Sequence, residues 1–195
     1  KGLLAEVAGL VEWPVTLLGA IDEAYLGLPA EVLQTSMKEH QKFFSVRSGA
    51  KITHYVTVAN RETADAGATI LAGNGKVLSA RLADGAFFWQ NDLRVVEGQG
   101  VDGLARLAAP LAQVTFHNKL GTVAERVERM AVLAAELAPI VGADAEQAAL
   151  AARVAKADLA SEMVYEFPEL QGVMGRYYIE AAGLPTEIAA ASAEH

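Results

Sequence analysis

Residues 122–142, TVAERVERMAVLAAELAPIVG, decide the fold of the second half of this chain. Their apolar positions recur at three- and four-residue spacing, the period of one helix face, and are Val123, Val127, Met130, Ala134, Leu137 and Val141. Thr122 can cap the start with Glu125 three residues later, and Gly142 is a typical helix stop. The stretch therefore predicts a helix.

The helical period continues beyond this stretch, and no strand pattern occurs from Leu104 onward. An alanine-rich helix is predicted from about Asp144 to Phe167, where Pro168 ends it. A further apolar helical face lies within residues 169–181 and consists of Leu170, Val173, Met174 and Tyr177. Because alanine lets helices approach closely, residues 104–195 are predicted to form a compact helical module.

The first half has a mixed pattern. Helical spacing covers residues 1–12 and 30–40, and residues 66–92 predict a helix interrupted near Gly73-Asn74-Gly75. β-Branched and aromatic residues indicate strands at Val15–Leu18, Phe43–Val46 and Ile52–Val58, with Ser48-Gly49-Ala50 as a hairpin loop between the last two. Glycines make Val95–Gly103 the expected linker. The predicted fold class is therefore α+β, with a mixed module over residues 1–103 packed on a helical module over residues 104–195.

The composition is that of a folded protein with an acidic balance. Of 195 residues, 52% are hydrophobic, and 16 basic against 24 acidic residues give a net charge of −8. A nucleic acid would therefore have to meet a local basic patch. The absence of cysteine excludes disulfides and thiolate metal sites, and no apolar run is long enough to span a membrane. These features predict a cytoplasmic protein. The Lys1-Gly2 start and the helix-forming sequence at His195 predict a piece of a longer chain.

Two nucleotide-binding patterns are incomplete. Gly98–Gly103 matches the glycine spacing of a dinucleotide fingerprint, but only Val95-Val96 is available as the preceding strand. Gly73–Lys76 resembles the end of a phosphate loop, but Ile70 and Val77 occupy the positions of the first glycine and the hydroxyl. The histidines never occur at the spacing that places two metal ligands on one helix face. These patterns therefore indicate loop glycines and isolated histidines.

Four segments together carry a resemblance to a known family. They are Val11-Glu12-Trp13-Pro14, His40–Val46 with Val58-Ala59-Asn60, Arg81–Asp84 leading to Phe87-Phe88-Trp89, and Glu166–Tyr178, which reads EFPELQGVMGRYY. In this order they resemble the β subunit of bacterial tetrameric glycyl-tRNA synthetase. The resemblance implies an internal fragment of that subunit, with the α subunit, glycine tRNA and the remaining β-subunit domains as partners. It also implies that ATP and Mg²⁺ act in the α subunit, so the fragment alone would be inactive and hold no cofactor.

The family also resembles HD-type metal phosphohydrolases in the helical module. By that resemblance the first ligand position is Arg129 and the His-Asp pair is Ala157-Asp158, so both imidazoles are missing. The resemblance therefore implies a lost metal site, no catalytic residue, and an Asp158 that bonds a helix terminus or a basic residue. A metal-dependent phosphohydrolase and a protein-interaction scaffold without RNA contact remain as alternatives.

Basic residues are the candidates for tRNA contact, and they are Lys38, Lys42, Lys76, Arg81 and Arg176. A guanidinium beside Tyr177 and Tyr178 could neutralise phosphate and stack on bases. The competing interpretation of Arg176 is core packing with an arginine that reaches solvent, because one of two adjacent helical tyrosines must point inward. The lysine pairs could equally be solvated faces.

Overall fold

The structure is a computed structural model, and it describes residues 2–49 and 51–195. Two compact units are present, Lys1–Phe87 and Phe88–His195. The described strands are β1 Val15–Ala20, β2 Phe44–Ser48, β3 Lys51–Ala59, β4 Thr115–His117 and β5 Gly121–Thr122. The described helices are α1 Gly2–Leu10, α2 Ala30–Thr35, α3 Ala68–Val96, α4 Gly100–Ala108, α5 Val123–Leu137, α6 Ala145–Val154, α7 Glu162–Glu166, α8 Val173–Ala181 and α9 Thr186–Glu194. The α+β fold class predicted from the sequence is confirmed.

The first unit contains a three-stranded antiparallel sheet in the order β1-β3-β2. The predicted hairpin is confirmed, with Gly49 at a φ of 63°, whereas Lys1 and Ala50 lie outside the described residues. The Tyr55 ring is buried and stacks on Phe43, with ring centroids 4.8 Å apart. Gly19 lies under this ring, and a Cβ there would come within 2.3 Å of it. The close approach explains why β1 carries a glycine in its interior.

Helix α3 runs without a break through the glycines that predicted an interruption. Its start is stabilised by Asp65, whose carboxylate accepts hydrogen bonds from the Thr69 backbone and hydroxyl at 2.8 and 2.6 Å. Asn74 donates its amide to the Thr57 hydroxyl at 3.4 Å. These tertiary and capping contacts offset the helix penalty of glycine, which is about 1 kcal/mol per residue relative to alanine.

The linker predicted over Val95–Gly103 is shorter in the structure. Helix α3 reaches Val96, which is buried, and α4 begins at Gly100. The intervening turn has positive φ at Gly98, and its backbone N–H donates to the Ala181 carbonyl at 2.9 Å. The prediction of a loop across all nine residues was wrong, because Val95 and Val96 end α3 and residues 100–103 begin α4.

The second unit is helical apart from the short β4–β5 hairpin, a strand pairing that the prediction of an all-helical module from Leu104 onward missed. The predicted capping box is confirmed: Glu125 N–H donates to the Thr122 hydroxyl oxygen, and Glu125 accepts from Thr122 N–H. Gly142 ends the following 3₁₀ turn, Ala138–Val141, in a left-handed conformation, as predicted. None of the helices in the described part of the chain combines the length and the apolar character of a membrane span.

The long helix predicted from Asp144 to Phe167 is divided in three. Helix α6 ends at Val154, a 3₁₀ turn covers Ala157–Ala160, and α7 begins at Glu162. The alanine-rich composition predicted one continuous helix. At the break, the Asp158 carboxylate accepts a hydrogen bond at the start of α8, and the Ser161 hydroxyl accepts one at the start of α7. Ser161 caps α7 by accepting from Val164 N–H at 3.1 Å.

Candidate functional site

The break between α6 and α7 places Asp158 against the start of α8. Its side chain is almost completely buried, with 1% exposed. One carboxylate oxygen, Oδ2, accepts hydrogen bonds from the backbone N–H groups of Gly172 at 2.5 Å and Gly175 at 3.1 Å. These are N–H groups that the first turn of a helix leaves without helical partners. The prediction that Asp158 bonds a helix terminus is therefore confirmed.

Glycine is required beside this carboxylate. A Cβ at Gly175 would lie 2.1 Å from the Ser192 hydroxyl and 3.2 Å from the Asp158 carboxyl carbon. The Ser192 hydroxyl in turn donates toward the carbonyl oxygens of Ala155 and Gly172 at 3.2 and 3.3 Å. Asp158, Gly175 and Ser192 therefore join the starts and ends of several helices through hydrogen bonds that tolerate little added volume.

A small polar cavity of about 120 Å³ opens next to Asp158, and its lining includes Lys156, Gln171, Gly172 and His195. Burial raises the pKa of Asp158, an effect that its hydrogen bonds from Gly172 and Gly175 reduce. Burial also lowers the pKa of Lys156, as does the nearby charge of Arg126. The Lys156 ammonium contacts the His195 ring nitrogen Nε2. The cavity thus combines one buried carboxylate with the nitrogen-bearing side chains of Lys156 and His195.

The positions that the HD resemblance assigned to metal ligands have different surroundings. Ala157 is buried beside Asp158, but Arg129 is exposed on α5 and lines a shallow depression with Val132 and Leu133. Arg126 is the α5 residue whose charge acts on Lys156. Within the described ranges, no three His, Cys, Asp or Glu side chains are grouped so that they could hold a metal ion.

A second buried carboxylate, Asp92, was missed at the sequence level. It is 3% exposed near the end of α3 and accepts from Glu162 N–H at 3.0 Å, Met163 N–H at 3.1 Å and the Tyr178 hydroxyl at 2.6 Å. Trp89 stacks on Tyr178 with ring centroids 5.6 Å apart. The sequence offered one signal for a buried carboxylate, namely the position of Asp92 one helical turn before Val96, which is buried. A carboxylate at such a position needs a hydrogen-bonding partner, because burying it unpaired would be costly.

The pKa of Asp92 is raised by burial, although its three hydrogen bonds act in the opposite direction. Burial, followed by the neighbouring Asp92 carboxyl, also raises the pKa of Tyr178. The pair is therefore a donor–acceptor contact in which Tyr178 keeps its proton. Of the two adjacent tyrosines, the buried one is Tyr178, whereas the sequence pattern placed Tyr177 on the apolar face.

The four basic candidates in the first unit fall into two groups. Lys38 and Lys42 form ion pairs with Glu39 and Glu6, at 2.5 and 3.1 Å, so their charges are locally compensated. Lys76 and Arg81 are exposed on α3. They are five residues apart, which places them about 140° apart around the helix axis. They therefore project in different directions from one helix.

Arg176 belongs to the second unit and lies on α8. It is partly buried, and its guanidinium carbon lies 5.0 Å from the centre of the Tyr177 ring. A guanidinium over an aromatic face is favourable in itself. The geometry agrees with a packed arginine.

An apolar cavity of about 280 Å³ lies among α4, α5 and α6. Leu104, Leu111 and Val127 contribute to its lining, and the Glu128–Arg153 pair lies at its edge with an N–O distance of 3.4 Å. Apart from that exposed pair, the lining is aliphatic. This cavity can accept an apolar group but offers no nucleophile.

Comparison with known proteins gives a consistent result. Residues 1–195 match the family described as glycyl-tRNA synthetase beta subunit. The chain is 68% identical over 198 residues to the glycine–tRNA ligase beta subunit of a Ruegeria species, and 65% identical over 195 residues to that of Cereibacter sphaeroides. The corresponding protein of Phenylobacterium zucineum is 54% identical over 200 residues. The alignments cover 99–100% of this chain but only 28–29% of these relatives.

Proposed function

The chain belongs to the glycyl-tRNA synthetase beta subunit family, and we propose that it supplies scaffold and a tRNA-recognition surface to a glycine–tRNA ligase. It spans about 28% of the length of its relatives, and the activity of the whole protein is part of the proposal. In this proposal the ligase attaches glycine to its tRNA with ATP and Mg²⁺ bound in the α subunit. The chain alone then catalyses nothing, and its partners are the α subunit, glycine tRNA and the rest of the β subunit.

The scaffold role is supported by the hydrogen bonds that the two buried carboxylates accept from backbone N–H groups. Asp92 and Asp158 both accept backbone N–H groups at the start of a helix, at distances between 2.5 and 3.1 Å. A carboxylate that also served as a metal ligand or general base would need some of this hydrogen-bonding capacity. These side chains therefore favour a structural role over hydrolysis of a phosphate ester. Elemental analysis of the purified ligase for a transition metal held by this region tests that part directly.

For tRNA contact, the proposal starts from Lys76 and Arg81, two exposed basic residues of α3. Each of them can meet a phosphate on its own side of the helix. Since the chain carries a net charge of −8, we expect few phosphate contacts and a shallow salt dependence.

The experiment compares charge reversals in the complete α- and β-subunit ligase. The double variant Lys76→Glu, Arg81→Glu should raise the KM for tRNA about tenfold with little change in kcat, because phosphate contacts supply binding energy. Arg61→Glu, another exposed site in the first unit, is the matched control. In the double variant alone, the slope of log affinity against log salt should become shallower by the equivalent of about one to two phosphate contacts. An unchanged KM and slope would refute tRNA contact through this helix but leave the scaffold role standing.

A further inference from the structure

The β4–β5 hairpin is basic and aromatic, although the chain as a whole is acidic. Residues 114–122, which contain both strands, include His117 and Lys119 but no aspartate or glutamate. Phe116 lies in β4 and is 40% exposed, and His117 and Lys119 are exposed as well. Proteins use an exposed aromatic ring among basic side chains to stack on unpaired bases and to hold the adjoining phosphates.

Arg126, near the start of α5, extends this surface. Its guanidinium carbon lies 4.4 Å from the centre of the Phe116 ring, so the charge lies against the ring. This contact is favourable in itself and holds both side chains in place. Arg126 is exposed, and a guanidinium has five N–H donors in a fixed planar arrangement. The pair therefore presents ring surface for a base and N–H groups for a phosphate.

Lys156 connects Arg126 to the polar cavity beside Asp158. Burial lowers the pKa of Lys156, and the nearby charge of Arg126 lowers it further, so the two cations are neighbours. The Lys156 ammonium contacts Nε2 of His195, and both side chains line the cavity of about 120 Å³. Like charges repel each other, and an anion bound beside both cations would offset that repulsion.

The acidic side chains next to these cations are engaged elsewhere. Glu125 accepts a backbone N–H at the start of α5 at 2.7 Å, and Glu128 pairs with an arginine of α6 at 3.4 Å. Oδ2 of Asp158 accepts two backbone N–H groups at the start of α8. Among the residues that the structure describes, neither Arg126 nor Lys156 forms an ion pair with a carboxylate. Both charges are therefore available to a ligand.

We propose that Phe116, Arg126 and Lys156, which we call the hairpin surface, bind an unpaired nucleotide of the tRNA. The base stacks on Phe116, and the adjoining phosphates meet Arg126 and Lys156. An unpaired nucleotide is required, because only a base outside a duplex offers its face to a side chain. A protein partner fits less well, since charged residues are depleted at the centre of protein interfaces. The inference rests on the proposed tRNA-recognition function and adds a second contact to it.

The test titrates the complete α- and β-subunit ligase with labelled glycine tRNA at several salt concentrations. Phe116→Leu keeps an apolar side chain but removes the ring, so tRNA affinity should fall about tenfold with little change in the salt slope. Phe116→Tyr keeps a ring and should bind tRNA as the wild type does. Arg126→Gln and Lys156→Gln should each make the slope shallower by about one phosphate contact. Arg94→Gln, which removes another exposed charge of the second unit, is the matched control.

Ultraviolet cross-linking of the unmodified ligase to glycine tRNA provides a second measurement that needs no variant. Mass spectrometry should find the cross-linked nucleotide on the peptide that contains Phe116, and sequencing of the RNA should place that nucleotide outside the base-paired stems. A cross-link confined to other peptides would contradict the proposal.

The remaining outcomes separate this inference from the function on which it rests. Unchanged tRNA affinity in Phe116→Leu would overturn the hairpin surface, and a lowered melting temperature in that variant would then assign the ring to stability alone. Lost association with the α subunit at normal tRNA affinity would assign the surface to a protein partner. If the Lys76→Glu, Arg81→Glu variant weakens tRNA binding and Phe116→Leu does not, only the hairpin surface fails.

Discussion

Asp65 in the first unit and Asp92 in the second both accept hydrogen bonds at the start of a helix, yet their pKa values shift in opposite directions. Hydrogen bonds from Thr63 and Thr69 lower the pKa of Asp65, which lies at the surface. Burial raises the pKa of Asp92, despite its bonds to Tyr178 and to the α7 backbone. The comparison shows that solvent, more than the number of donors, decides whether a capping carboxylate favours its charge.

The largest expected effect is that of removing the buried carboxylate. Asp92→Ala leaves two backbone N–H groups and the Tyr178 hydroxyl without their acceptor. The free energy of unfolding should fall by about 3 to 5 kcal/mol, because unsatisfied buried groups are costly. Chemical denaturation of the variant measures the change, and Asp65→Ala is the exposed counterpart, which should lose much less. Equal losses in the two variants would contradict the role given to burial.

Leu170→Ala should follow in size. Leu170 is 2% exposed in the 3₁₀ turn Pro168–Leu170 that joins α7 to α8. Truncation of a buried leucine typically costs about 2 to 5 kcal/mol, through lost burial and the cavity left behind. A lowered melting temperature is the expected readout. Leu4→Ala, at a position 65% exposed on α1, serves as the control. A negligible shift for Leu170→Ala would show that the turn is not held by packing.

Two glycine substitutions sharpen the contrast between the units. Gly175→Ala would force a Cβ to within 2.1 Å of the Ser192 hydroxyl, so we expect a loss of about 1 to 3 kcal/mol from overpacking. Gly73 lies within α3 with no atom close to the position of a Cβ. Gly73→Ala should therefore gain about 0.5 to 1 kcal/mol through helix propensity. Urea unfolding of both variants decides the signs, and a stabilising Gly175→Ala would refute the close packing around Asp158.

The smallest effect concerns pH. A raised native pKa means that the folded state holds the Asp92 proton more tightly than the unfolded state does. Proton binding by Asp92 therefore adds to the free energy of unfolding, and this contribution is fully present below the unfolded pKa of about 3.9. It is lost as the pH rises through the higher native pKa of Asp92. The stability of the wild type relative to Asp92→Asn should therefore fall as the pH rises above about 4.

For Asp65 the native pKa is lowered, so the sign is reversed. Its contribution is present above the unfolded pKa of about 3.9 and is lost as the pH falls toward the native value. Relative to Asp65→Asn, the wild type should lose stability on acidification below about pH 4. Unfolding free energies measured by urea titration from pH 3 to pH 7 compare the two slopes. Slopes of the same sign would contradict the comparison.

Local patterns predicted much of the fold. The Thr122–Glu125 capping box, the Gly142 stop and the strand on either side of Gly49 were all confirmed. Each depends on neighbours within a few residues, which a sequence displays directly. Two predictions of continuity failed: α3 continues through Gly73-Asn74-Gly75, and the helix predicted through Ala157 is broken.

The candidate site was predicted in part. The resemblance led to Asp158, and its bond to a helix terminus was anticipated. Asp92 was not, because its partners on α7 and α8 lie 70 to 86 residues away in the chain. The tRNA contacts assigned to Lys76 and Arg81, and the HD-like character of the helical module, stay predictions.

The sequence by itself determined the family, the α+β class and the helix caps, since these depend on residue order and on contacts between near neighbours. Only the tertiary structure decided which polar side chains are buried and where the alanine-rich helix breaks. Burial of Asp92 and Asp158 is favourable only when backbone N–H groups from distant helices meet their carboxylates, and no local pattern specifies that meeting.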